Sequence, residues 1–214
     1  MNQKVELVFI LDRSGSMSGL EEDTMGGFNS VIEKQKKMEG ACIVSTILFD
    51  DQFDILHHRV DLKDVKPMTG HDYYVRGTTA LLDAIGRSIT KISQIHRHLT
   101  KEERPDKVLF IITTDGLENA SREYSYDDIK KMITIETEEF GWEFLFLGAN
   151  IDSIDEAQKM GIRASRVANY HRDKQGTKTN FDSLHETIHS FRVHSKINEN
   201  WNEKINQDFL KRKK

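Results

Sequence analysis

Four short runs along the chain are almost unbroken in apolar residues: Val5–Leu11, Cys42–Phe49, Val108–Thr113 and Phe144–Leu147. A strand that is apolar at successive rather than alternate positions has both faces covered, so these runs predict a parallel sheet between helical layers. Segments of helical period separate them. Ser18 and Glu21 have capping-box spacing at the head of a helix over Leu20–Met38. Ala80–Leu99 sets Leu81, Leu82, Ile85, Ile89, Ile92 and Ile95 along one stripe. Ser125 and Asp128 can cap a helix over Ile129–Phe140, and a shorter one over Ile154–Met160 stops at Gly161. The alternation breaks once, where the turn Phe49-Asp50-Asp51-Gln52-Phe53 pairs Cys42–Phe49 with Phe53–Val60 as an antiparallel hairpin.

After a short edge strand at Arg166–Tyr170, His171 to Asn180 contains no apolar residue and reads as a flexible connection or surface loop. Beyond it Phe181, Leu184, Ile188, Phe191, Ile197, Trp201, Ile205 and Phe209 recur at mostly helical spacing, which predicts a helix or helix pair packed on the domain. The order predicts an α/β fold with an open, doubly wound, mostly parallel Rossmann-like sheet, an antiparallel edge hairpin and helices on both faces. The implied division is one domain over residues 1–170, a polar connection over 171–180 and a helical extension over 181–214.

Composition narrows the picture little. At 214 residues the chain suits one substantial domain, and 37% hydrophobic with 31% charged residues is an ordinary globular balance. A formal charge of −4 gives no general attraction to nucleic acid or to an anionic membrane. The basic end Lys211-Arg212-Lys213-Lys214 reads as a solvated helix terminus. Cys42 is the only cysteine, so neither an internal disulfide nor a thiolate metal cluster can form. With no signal-peptide pattern and no apolar segment near the roughly 20 residues of a membrane span, a cytoplasmic protein is expected.

The chemistry gathers at the first strand end, VFILDRSGSMSG. Asp12, Ser14 and Ser16 supply a carboxylate and two hydroxyls on alternate positions, with Gly15 allowing a sharp turn. Hard divalent cations take such oxygens, and Mg²⁺ takes few carboxylates and keeps waters. In doubly wound sheets ligands collect beyond the carboxyl ends of the strands. Asp115, closing VLFIITTD, belongs on that same edge, and Thr78 and Thr79 of RGTTALLDAIG open a helix. Taken singly, the serines can be turn residues, the threonine a helix cap and Asp115 a turn aspartate. Three loops meeting on one sheet edge argue for a site.

At these motifs the chain resembles the von Willebrand factor A family. DRSGS resembles that family's DxSxS signature, GTTAL its threonine loop and TTDG its aspartate loop, in the same order, over about Met1 to Tyr170. TTDGLENASRE and FLFLGANIDSIDEAQKMGI are similar to small standalone bacterial or phage proteins of this kind, some linked to tellurite-resistance loci. The resemblance implies a metal-ion-dependent adhesion site at Asp12, Ser14, Ser16, Thr79 and Asp115, with Thr79 preferred to Thr78 because it precedes Ala80-Leu81. It implies Mg²⁺ as the ion, with Mn²⁺ or Ca²⁺ as alternatives, and a protein partner that presents Asp or Glu. Two aspartates neutralise a divalent cation, so the ion stays electrophilic toward a partner carboxylate.

Arg13, Arg76 and Glu118 flank the site and read as surface residues, with Arg76 able to steer an acidic partner. His185 and His189 lie one helical turn apart without the glutamate of a zinc-protease motif, and His57-His58 reads as exposed. No phosphate-binding glycine loop follows a strand, which excludes the usual nucleotide cradle. The leading expectation is a non-enzymatic, metal-dependent binding module. A metal-dependent hydrolase or phosphatase would need a general base, for which only Glu118 or His71 is placed. A third possibility is a scaffold acting through its C-terminal helix.

Overall fold

The computed structural model describes residues 3–149 and 152–212. Met1, Asn2, the Asn150-Ile151 pair within FLFLGANID, and Lys213 and Lys214 of the basic end lie outside the described residues. The elements run β1 (Val5–Asp12), α1 (Glu21–Lys36), β2 (Cys42–Phe49), β3 (Phe53–Asp61), α2 (Leu81–His98) and β4 (Lys107–Thr114). They continue with α3 (Tyr126–Phe140), β5 (Glu143–Ala149), α4 (Ser153–Lys159), β6 (Val167–Tyr170), α5 (Lys174–His194) and α6 (Glu203–Arg212). The sheet order is β3-β2-β1-β4-β5-β6, parallel throughout except for the β2–β3 pair. This is the mostly parallel α/β sheet with an antiparallel edge hairpin that the apolar runs predict.

The unbroken apolar character of β1 now has its cause. Leu7, Phe9 and Leu11 enter a core with Phe28 and Ile32 of α1 and Leu184 and Ile188 of α5. Val8 and Ile10 point the other way, to Leu81, Ile85 and Ile89 of α2 and Ile129 and Ile133 of α3. Each such side chain, withdrawn from water, contributes roughly 1.5–3 kcal/mol, and β1 does so on both faces. That places β1 at the centre of the sheet, with its neighbour β4 on the far side of the chain reversal. Their carboxyl ends form the crevice in which such sheets bind ligands.

The C-terminal stripe packs as a helix pair: Phe181, Leu184, Ile188, Phe191, Trp201 and Ile205 all lie in the core beside β1 and α1. At Gly27 of α1 the contact is so close that an added Cβ would sit 2.1 Å from the Phe181 ring. We expect Gly27→Ala to force that ring aside and destabilise the fold by about 1–3 kcal/mol, as overpacked cores do. A urea midpoint unchanged from wild type would contradict the close α1–α5 contact.

Three local expectations are corrected. Ser18 does not cap α1: it closes a short 3₁₀ turn at Gly15–Met17, Leu20 occupies the N-cap position, and the Glu21 carboxylate accepts from Gly19 N at 2.7 Å. The polar segment His171–Asn180 is not a loose connection, because α5 begins at Lys174, capped by Asp173 whose carboxylate accepts from Gly176 N at 2.7 Å. Thr177 and Asn180 face inward there, so polarity of sequence does not mean exposure. His57 is buried, bonded to Thr46 Oγ1 at 3.0 Å and stacked on Phe28, whereas its neighbour His58 is exposed. At the cap of α3 the expected box is present, with Ser125 and Asp128 bonding reciprocally.

Candidate metal centre

The pairing of Leu11 with Thr113 sets the ends of β1 and β4 side by side. Asp12 is the last residue of β1, and Asp115 follows the last residue of β4, so one register delivers both carboxylates to the same edge. Both are buried, at 1% and 5% exposure. The backbone of Ser14 donates to Asp12 Oδ1 at 2.7 Å and Thr114 Oγ1 donates to Asp12 Oδ2 at 2.6 Å. The buried Tyr73 hydroxyl donates to the Asp12 carbonyl from below. Burial outweighs these bonds and pushes the Asp12 carboxyl up to about 6.

Hydroxyls from two loops converge beside these carboxylates. Ser14 Oγ lies 3.0 Å from Ser16 Oγ, and Thr79 Oγ1 donates to Ser14 Oγ at 3.0 Å. Of the threonine pair, Thr79 is buried and faces the serines, while Thr78 is exposed. Thr79 is held from behind, its backbone N–H donating to Asn119 Oδ1 at 2.9 Å. Gly116 completes the cradle: a Cβ there would lie 2.9 Å from both Ser16 Oγ and Thr79 Oγ1. One carboxylate oxygen, Asp115 Oδ1, is buried without a hydrogen-bond partner among the described residues. Such an oxygen is costly unless something positive meets it.

The donor set therefore suits a hard divalent cation: three neighbouring hydroxyls and two carboxylates, one of which holds the orphaned oxygen. Among the described residues no group of three or more His, Cys, Asp and Glu is placed to hold a metal. A cation at this edge would be held largely by neutral oxygens. His185 is bonded to the Gln35 side chain at 3.0 Å.

The flanking residues behave differently from the sequence expectation. Arg13 is buried, not superficial, with Nε on Asp50 Oδ2 at 3.0 Å and Nη2 on Asp54. Arg76 shares both partners, with Nε 2.6 Å from Asp50 Oδ2 and Nη2 2.9 Å from Asp54 Oδ2. Main-chain bonds run through the same cluster: Arg76 N to Arg13 O, Gly15 N to Gly77 O and Ala80 N to Asp50 O. The arginines thus fasten the serine loop, the hairpin turn and the threonine loop together. Glu118 is equally structural, accepting from Leu82 N at 3.0 Å, Ala120 N at 2.9 Å and Ser121 N at 2.7 Å. Glu118 is spent on these bonds. His71 is exposed.

Sequence reasoning missed Arg172. Its Nε donates to Asp115 Oδ2 at 2.6 Å and to the Ser16 carbonyl at 2.9 Å, and Nη2 reaches the carbonyls of Ser16 and Ser18. It lies in the polar stretch read as a loop, where no spacing relates it to the serine motif 156 residues away. Thr114 and Asn119 were also missed; both sit beside recognised motif residues, and only the fold shows which way they point.

No family model matches the sequence, and no curated protein does. Solved structures do. A von Willebrand factor type A protein from Catenulispora acidiphila is 12% identical and superposes with a TM-score of 0.57, covering 87% of this chain and 42% of that one. Proximal thread matrix protein 1 from the mussel byssus, with a zinc-occupied MIDAS motif, is 13% identical at a TM-score of 0.57, covering 87% of this chain and 46% of its own. The manganese-loaded TRAP protein of Plasmodium vivax is 15% identical at a TM-score of 0.53, with 84% and 74% covered. The chain spans less than half the length of the first two. At these identities the likeness is one of fold, and the fold is that of von Willebrand factor A domains. No helix among the described residues is long and apolar enough to cross a membrane.

Proposed function

We propose that this von Willebrand factor A fold is a non-enzymatic binding module that captures an acidic residue of a protein partner through a divalent cation. Asp12, Ser14, Ser16, Thr79 and Asp115 would hold the ion, Mg²⁺ in the first instance and Mn²⁺ or Ca²⁺ as substitutes. One observation carries the reading: Ser14 Oγ lies 3.0 Å from both Ser16 Oγ and Thr79 Oγ1, beside two buried carboxylates, one of which keeps an oxygen unpaired among the described residues. When bound, the ion supplies an electrophilic point whose charge the two aspartates just balance. The chain's own part is to fix the oxygens and to shield most of them: Asp12, Ser14, Thr79 and Asp115 are buried, while Ser16 is exposed. Asp12 is oriented by Ser14 N and Thr114 Oγ1, and Thr79 by Asn119.

The alternatives have less support. A hydrolase needs a free base beside the ion, and Glu118 is occupied by three backbone N–H groups. A scaffold acting through the C-terminal apolar stripe would need that stripe free, and it lies in the core.

The test is capture on arrays of peptides that differ only by Asp against Asn or Glu against Gln. Binding is expected to require Mg²⁺ or Mn²⁺, to vanish in EDTA, and to be lost with the amide. The amide should cost about 2–5 kcal/mol, as for one partner of a desolvated charge pair. Thr79→Ala is expected to weaken capture more than Thr78→Ala. Capture that persists in EDTA would defeat the proposal.

A further inference from the structure

We propose that Arg172 is a specificity-determining residue of this site: a fixed countercharge that weakens uptake of the cation alone and ties its retention to an incoming anion. The inference rests on the reading of Asp12 and Asp115 as cation-binding carboxylates, and it names a property of that site which the five oxygen donors do not predict.

The position of Arg172 is built, not incidental. The turn that carries it is pinned on both sides. His171 stacks on Phe209, with Nε2 3.0 Å from the Phe209 carbonyl, and Asp173 caps α5. From there the guanidinium reaches Asp115 Oδ2 at 2.6 Å and the Ser18 carbonyl at 2.5 Å, with further bonds to the Ser16 carbonyl. The carbonyl bonds do not involve Asp115. They hold the charge at the rim whichever way that carboxylate turns. Asp115 keeps Oδ1 unpaired while Oδ2 is taken, so the carboxylate is shared between a tethered cation and whatever meets its other oxygen.

The arginines of the neighbouring loops have carboxylate partners of their own. Arg13 and Arg76 sit against Asp50 and Asp54, and Asp173 pairs with Arg212. Arg172 is therefore set against Asp115, one of the two carboxylates that would balance the ion. Two aspartates neutralise a divalent cation; with Arg172 beside them the loaded site keeps one positive charge. Cation uptake is opposed by like charge, and a carboxylate arriving from a partner meets both the ion and the guanidinium. Ion and anion then bind cooperatively, and by reciprocity each tightens the other. The arginine side chain is 32% exposed, so solvent screens the repulsion in part. A partly screened unit charge a few ångström from a divalent ion still amounts to roughly a factor of ten in affinity.

The experiment measures Mn²⁺ binding by calorimetry, or by loss of the free-ion electron paramagnetic resonance signal. It compares wild type, Arg172→Gln, Arg172→Ala and Arg172→Lys, each with and without acetate. Thermal melts in EDTA show which variants are folded, and either neutral variant suffices. The neutral variants are expected to bind Mn²⁺ roughly tenfold more tightly than wild type in the absence of acetate. Acetate should raise the affinity of wild type several-fold more than theirs, and the lysine variant, which keeps the charge, should stay close to wild type. Neutral variants that bind no tighter than wild type, equal acetate enhancement in all four proteins, or a lysine variant that matches the neutral ones would each overturn the proposal. Failure of the underlying reading looks different: wild type and Asp12→Ala would then take up Mn²⁺ equally or not at all.

Discussion

Replacing Asp12 by alanine is expected to weaken Mn²⁺ or Mg²⁺ binding by at least about 100-fold while the fold survives, since losing a charged ligand exceeds the 10–100-fold typical of outer-shell partners. Asp12 is buried beneath the serine loop with both oxygens already oriented, and Asp50, the neighbouring carboxylate on this edge at the end of β2, is already taken by Arg13 and Arg76. The effect also has a pH signature. Burial raises the Asp12 carboxyl from 3.8 to about 6 in the metal-free fold. The folded protein therefore binds a proton more tightly than the unfolded chain. Metal-free stability falls as pH rises between these values, by roughly 3 kcal/mol, and does not recover above them. A cation reverses the penalty because it needs the carboxylate ionised. The rise in melting temperature on adding Mn²⁺ should be small near about pH 5 and large near about pH 7.5. Asp12→Ala should show neither the metal-induced rise nor the metal-free decline over that window. Equal Mn²⁺ affinity in wild type and mutant would place the site elsewhere.

What the sequence disclosed and what it withheld divide along a physical line. Strands buried on both faces announce themselves through nearly continuous apolar runs such as Val5–Leu11, whose one charged residue, Glu6, is buried against Arg59 and His96. The stripes of α2 and the C-terminal pair were legible for the same reason. Asp12, Ser14, Ser16 and Asp115 stand out by their positions at strand ends, whereas Thr79 is preferred to Thr78, and the five are joined as one set, only through the family resemblance. The register of β1 with β4 sets the two aspartates side by side, and loop contacts bring the three hydroxyls together. Contacts between segments remote in sequence were not legible. Arg172 touches Asp115 across 57 positions and Ser16 across 156, and nothing in a run of polar residues says that one of them turns inward. Arg13 was misread for a related reason. A charged residue in a loop is usually solvated, and only the β2–β3 turn, which brings Asp50 and Asp54 to it, makes burial affordable. The pattern Ser18–Glu21 misled because a 3₁₀ turn at Gly15–Met17 consumes the residues that a simple helix start would use.

That arginine cluster carries the second large effect. Asp50 is fully buried, and its Oδ2 accepts from Arg13 Nε at 3.0 Å and from Arg76 Nε at 2.6 Å. Its Oδ1 accepts from Gln52 N at 2.6 Å, and its carbonyl accepts from Ala80 N at 2.9 Å, at the head of α2. Asp50→Ala leaves Arg13, itself 2% exposed, with a single carboxylate partner, Asp54, whose side chain is 52% exposed. Stranding a buried cation in this way costs about 3–5 kcal/mol, which for a chain of this size lowers the melting temperature by roughly 10 °C. Asp54→Ala removes only the solvent-facing half of the cluster and should cost less than about 1 kcal/mol. Chemical denaturation of both variants in EDTA isolates this effect from any metal. Arg76 ties the threonine loop to the Asp50 carboxylate, so Asp50→Ala should also weaken Mn²⁺ binding although Asp50 supplies no oxygen to the site. A variant as stable as Asp54→Ala would mean that the two arginines find compensation elsewhere. A destabilised variant with wild-type Mn²⁺ affinity would show that the three loops hold their geometry without the cluster that joins them.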